Sequence, residues 1–199
     1  MIPIPNDYDS ARSFGSAQPQ LTPGGHICVI QGARMEKSRT GKDMLVVAFD
    51  IQEGSEFDGY FRERFARAYQ FNSAAKWPGV FRVLILNGQG QTNGFFKGLI
   101  EALEASNAGY DFKATGGDEA RMKGLTVGFN FGEEEYEYSD RKTGAPSVGV
   151  SCRPAYAVSV ERVREGIVPP PRKTLETTGL TPPPAPGGFT EAPDEALPF

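Results

Sequence analysis

Cations and aromatic rings recur together along this chain, and that pairing is its most suggestive chemistry. Arg34, Lys37, Arg39 and Lys42 surround one short polar turn. Tyr60, Arg62 and Arg64 alternate in a second segment, and Tyr69, Phe71 and Trp77 follow where that segment gives out. Tyr136 and Tyr138 stand two apart, with Arg141 and Lys142 close behind. Cations can track a phosphate backbone while aromatic faces stack on unpaired bases, a sequence-tolerant contact of about 1–3 kcal/mol per base. The pattern therefore suits a single-stranded nucleic acid better than a duplex.

Other chemistries find less support. The chain has one His and two Cys, too few for a Cys/His zinc site without heavy carboxylate help. Cys28 and Cys152 sit in strand-like runs and read as buried free thiols. His26 lies two residues from Cys28, but a nucleophile pair also needs an orienting group, so a strand-edge His beside a core Cys is the simpler reading. Asp50, Glu53, Asp58 and Glu63 could be imagined as nuclease carboxylates, yet their spacing matches no two-metal pattern and they read as strand and loop acids. The expectation is a protein that is not an enzyme and needs no metal or cofactor.

Charge sharpens this picture. The 199 residues carry 21 Lys+Arg against 25 Asp+Glu, a net charge of -4 that taken alone argues against nucleic acid. Residues 20 to 100, however, hold ten basic and seven acidic residues, a local balance of +3. The C-terminal stretch 168 to 199 is -2, and its last 26 residues contain no cation. A basic surface and an acidic tail are thus expected to coexist.

Elements must position these groups. Residues 1 to about 20 are polar and proline-punctuated, suggesting a loose arm. His26 to Arg34 and Met44 to Ile51 read as strands joined through the basic turn Lys37-Ser-Arg-Thr-Gly-Lys-Asp43. Tyr60 to Phe71 reads as a third strand, with Arg62 and Arg64 on one face and Phe61 and Phe65 pointing inward. Val80, Phe81, Leu84 and Ile85 recur at helical spacing. Phe95, Phe96, Leu99, Ile100 and Leu103 form a clearer helical stripe, capped by Asn93 and stopped near Gly109. Leu125 to Phe131, Val148 to Cys152 and Ala155 to Val163 read as later strands, with a hairpin signal at Asp140-Arg-Lys-Thr-Gly144. Three strands, a helical insert and two or three further strands are the order of an OB-fold, here a five-stranded barrel of mainly β class with the insert between strands 3 and 4. The expected domain runs from 21 to 166. No apolar run approaches the ~20 residues needed to span a bilayer, and no secretory signal is evident, so an intracellular protein is expected.

From 167 to 199 the composition shifts: nine of the chain's 16 prolines lie here and few apolar residues remain. Such a segment reads as a disordered tail. Its tip, Asp194-Glu-Ala-Leu-Pro-Phe199, offers Leu197 and Phe199 to an apolar pocket and Asp194, Glu195 and the terminal carboxylate to a basic rim.

This tip resembles that of bacterial single-stranded-DNA-binding proteins, whose disordered tails end in an acidic stretch and Pro-Phe. The matching residues are Asp194, Glu195, Pro198 and Phe199, with Leu197 where that family usually has Ile. The body, from Leu21-Thr-Pro-Gly-Gly25 through Lys37-Ser-Arg-Thr-Gly-Lys42 to Phe95-Lys-Gly-Leu-Ile-Glu-Ala-Leu103, is similar to small phage and prophage single-strand binders of OB type. The resemblance implies a protein that coats and protects single-stranded DNA during phage or prophage replication or recombination in the cytoplasm of a bacterial host. It also implies a tip that recruits replication and recombination enzymes. Assembly into a homo-oligomer and the choice between DNA and RNA are left open. The alternative is a non-enzymatic adaptor whose barrel binds a polypeptide.

Overall fold

The computed structural model describes residues 20–52, 55–140 and 143–175. The expected N-terminal arm, Glu53, Arg141, Lys142 and the tip residues Asp194, Glu195, Leu197, Pro198 and Phe199 lie outside them.

Five strands form one antiparallel sheet: β1 (Gly24–Lys37), β2 (Asp43–Ile51), β3 (Val80–Leu84), β4 (Thr126–Ser139) and β5 (Pro146–Val158). Their spatial order is β3-β2-β1-β4-β5. Among the described residues three α-helices accompany them, α1 (Tyr60–Phe71), α2 (Gly94–Ser106) and α3 (Val160–Glu165), with one 3-10 turn at Glu119–Met122. Alternation dictates the core. Cys28 and Ile30 of β1, Leu45, Val47, Phe49 and Ile51 of β2, Phe81 and Val83 of β3, and Val127, Phe129 and Phe131 of β4 are all buried on one side. Leu99, Ile100 and Leu103 of α2 complete that cluster. As expected, Asn93 caps α2, its side-chain oxygen accepting the Phe95 N–H at 2.9 Å. The helix ends sooner than Gly109: Asn107 caps it, and its side-chain amide also pairs with both the N–H and the C=O of Thr126, at 2.9 and 2.7 Å. One side chain thereby ties the end of α2 to the start of β4.

Three segments differ from the sequence-based expectation. Tyr60–Phe71 is a helix, not the third strand. Its rings at 61, 65 and 69 repeat every four residues, which suits a helix, while the alternation with Arg62 and Arg64 only mimics a strand. The edge of β2 that such a strand would need is taken by Val80–Leu84, a strand where helical spacing was expected; Met44 pairs with Leu84 and Ala48 with Val80. Phe81 and Val83 face the core and Arg82 faces out. The helical insert between the third and fourth strands is therefore present, but the third strand is Val80–Leu84 and an extra helix precedes it. At the other end, Val148 to Cys152 and Ala155 to Val158 belong to one strand, β5, and Val160 to Val163 are helical and not strand, because the Ser159 side chain caps α3 by accepting the Arg162 N–H.

The sheet is open. β3 and β5 form its two margins, and among the described residues no ladder joins them. The packed chain also continues beyond Ile167. The Lys173 N–H donates to the Glu133 carbonyl and the Glu135 N–H to the Lys173 carbonyl, at 2.9 and 3.0 Å, along the part of β4 that β1 leaves uncovered. Arg172 pairs with Glu135 at 2.8 Å, Val168 accepts from the Asn130 side chain at 3.0 Å, and Leu175 is buried.

Candidate nucleic-acid interface

The basic turn comes first in the chain. Its strands place Arg34, Lys37, Arg39 and Lys42 at one end of the sheet, beside the end of β3, where the Ile85 N–H donates to the Asp43 carbonyl at 3.1 Å. Two of these cations are held by acids: Arg34 by Glu36 at 2.6 Å and Lys37 by Asp43 at 2.7 Å. Arg39 and Lys42 are exposed and make no ion pair among the described residues.

The sheet's two margins meet across a single cleft of about 700 Å³. Val80 to Leu84 form one wall and Ser151 to Ala155 the other, so the sheet curls until its first and last strands face each other. α1 and the residues after it close one end with Phe61, Arg64 and Trp77, and Asn93 and Phe95 stand at the start of α2. Three arginines line this cleft, Arg64, Arg82 and Arg153, and among the described residues no carboxylate does. Arg64 and Arg82 have no ion pair among the described residues. Arg153 lies 3.1 Å from the Ser151 hydroxyl and 3.9 Å from the Glu134 carboxylate, a loose contact that leaves its charge largely available.

The aromatic candidates divide. Trp77 is on the cleft, its indole N–H donating to the Phe49 carbonyl at 3.0 Å. Tyr60 packs against the core, edge-on to Phe61 at 5.1 Å, and does not line the cleft. Because Tyr60–Phe71 is helical, Arg62 and Arg64 do not share a face: residues two apart on a helix point to nearly opposite sides. Arg62 turns back to Asp58 at 3.8 Å, while Arg64 reaches the cleft. Phe61 is buried as expected, but Phe65 is only half-buried. Tyr69 is 54% exposed, and Phe71, at the end of the helix, is 82% exposed. Tyr136 and Tyr138 project from the β4–β5 ribbon with rings 5.9 Å apart. Tyr136 lies over Gly149, where a Cβ would come within 2.7 Å of the ring.

No protein-family model matches the chain, and no curated protein matches it. The site must therefore be judged on its own chemistry.

Three cleft residues escape the sequence reading. Arg82 sits within an apolar run that resembles a helix, and only its isolation between Phe81 and Val83 marks a strand with one face outward. Arg153 has no local signature. Phe95 belongs to the expected apolar stripe of α2, yet it is exposed at the cleft rim.

The remaining candidates have structural roles. The Asp50 carboxylate is buried and accepts three backbone N–H groups, from Ile51, Phe61 and Arg62. The His26 imidazole lies against Phe57 and Phe131, 5.4 and 5.2 Å away, and its Nε2 is 2.8 Å from the Thr22 carbonyl. Cys28 is a free thiol; burial and then the Asp50 charge push its pKa well above the ordinary value, the reverse of an activated nucleophile. Cys152 is also free, pushed up to about 11 by burial and by Glu133. Among the described residues no group of three His, Cys, Asp or Glu is arranged to hold a metal ion, and no helix is long and apolar enough to cross a membrane.

Proposed function

We propose that this protein binds single-stranded DNA in the cleft between β3 and β5. The observation that carries the reading is the cleft's composition: three arginines, an indole and an exposed phenyl ring, without one carboxylate among the described residues, in a chain of net charge -4. Arg64, Arg82 and Arg153 hold phosphates, and Trp77 and Phe95 offer faces to bases. Duplex DNA, whose bases are already stacked, would leave the ring faces unused.

The sheet order supports an OB-type reading. β1 pairs with both β2 and β4, leaving β3 and β5 at the margins, which is the order of an OB barrel opened along its last seam; partly open barrels are characteristic of that fold. On this reading the protein coats strands exposed in phage or prophage replication or recombination, without catalysis. The tip Asp194 to Phe199 recruits partner enzymes as an acidic, apolar-ended hook.

One observation favours a second reading. The unpaired margins of β3 and β5 both face the cleft, and an extended polypeptide could add to either as a further strand. A salt-titrated comparison of oligo-dT, the matching RNA, duplex DNA and the double variant Arg82→Glu/Arg153→Glu separates the two. Salt-sensitive oligo-dT binding that the double variant abolishes supports the cleft. Undiminished binding by that variant removes it.

A further inference from the structure

We infer that α1 carries a second stretch of the single-strand path, outside the cleft and continuous with it. This rests on the proposed cleft reading. Phe61, Phe65 and Tyr69 fall four residues apart and so form one stripe along the helix. The stripe begins inside the cleft, which Phe61 lines, and emerges at Tyr69, more than half exposed. Its rings are in register: Phe65 lies 5.5 Å from Trp77 and 5.7 Å from Tyr69, tilted by 47° and 35°. Trp77 thus joins the cleft to the stripe, and its position is fixed by the bond to the Phe49 carbonyl.

Charge on the helix is sorted to match. Arg64, one residue from Phe65, points to the cleft and has no ion pair among the described residues. Lys76, next to Trp77, is exposed and likewise unpaired among the described residues. The acids lie elsewhere: Glu56, Asp58 and Glu63 gather with Arg67 in a depression on the far side of α1. A half-exposed ladder of rings flanked by free cations, with carboxylates kept behind it, fits unpaired bases on a phosphate backbone. The cations at its flanks favour a polyanion over an apolar partner helix. A strand leaving the cleft past Trp77 would stack its next bases on Phe65 and Tyr69.

Oligonucleotide length tests this. Trp77 is the chain's one tryptophan, so its fluorescence reports cleft occupancy for full-length protein. Oligo-dT of about 6 nucleotides fills the cleft alone, and about 20 nucleotides reaches the helix. Tyr69→Ala is expected to leave the short oligonucleotide's affinity unchanged and weaken the long one about tenfold, with Tyr69→Trp restoring it. An unchanged melting temperature excludes a folding cause. Equal affinity of Tyr69→Ala and wild type for the long oligonucleotide overturns the second stretch and leaves the cleft standing, as does an equal loss at both lengths. Failure of the wild type to bind either length overturns both.

Discussion

The Asp50 carboxylate accepts the backbone N–H of Phe61 at 3.0 Å, and that bond decides where α1 begins. The first N–H groups of a helix have no partner within it. The local entry residue, Gly59, has φ 62° and no side chain to cap with, so the cap comes from a neighbouring strand. The same carboxylate accepts from Arg62 at 3.2 Å, and its negative charge sits at the positive end of the helix. Asp50 thereby fixes the ring stripe and Arg64 relative to the sheet.

Asp50→Ala is expected to lower stability by about 2–3 kcal/mol, since it removes a charged acceptor from buried N–H groups. Urea unfolding measures the loss. Trp77 emission in the native state should change as well, because Phe65, its neighbour, sits on the released helix.

Affinity should fall with salt in proportion to the phosphates engaged. Three arginines on a single strand give a slope of log K against log salt of about -2, and Arg82→Gln should reduce it by about 0.7. If Arg39 and Lys42 also engage the strand, the wild-type slope is steeper and Arg39→Gln flattens it equally. Fluorescence titration at several salt concentrations reads both.

The thiols set a pH limit. Both cysteines have raised pKa values when folded, so folding favours the protonated thiol. Their contribution is complete below the unfolded value near pH 9 and is lost as pH rises, for Cys152 through about 11. Melting temperature should therefore decline above about pH 9, and a Cys152→Ser variant should decline less. At pH 8, iodoacetamide should label Cys152 on the order of a hundredfold more slowly than an unperturbed thiol. Oligo-dT in the cleft should slow it further, because Cys152 is part of the wall.

A truncation tests the packing of the segment after α3. Stopping after Gly166 removes a buried leucine, the Arg172–Glu135 pair and the Val168 carbonyl that the Asn130 side chain uses. That shorter chain should lose about 2–4 kcal/mol in urea unfolding.

Where burial and period agree, the sequence was readable. β1, β2, α2 and the first half of β4, Thr126 to Phe131, each show a run whose apolar period matches one element only. Tyr60–Phe71 failed because Phe61 and Phe65 are four apart, a spacing that satisfies both a strand and a helix; the deciding group, Asp50, lies eleven residues from Phe61. Val80–Leu84 failed because five residues are too few to separate the two periods. The cleft was half legible. Arg64 and Trp77 stood out as chemistry, but Arg153 joins them only because the sheet curls, and no local pattern encodes that. Prolines 170 and 171 read as a linker, whereas Pro170 packs on Gly132, where a Cβ would come within 2.7 Å of its ring.

The unclosed sheet has a consequence for the chain's life at high concentration. A bare strand margin is a template on which a neighbouring molecule can zip itself, copy after copy. Here one margin carries Arg82, and the other carries Arg153 followed by Pro154, which has no N–H to lend. Like charges meeting edge to edge repel, and a proline interrupts any ladder. On the proposed reading, the arginines that hold phosphates would also disfavour edge-to-edge self-association. Neutralising them would strip a border guard as well as a grip, so chains that drift toward a neutral cleft should first betray themselves as turbid solutions.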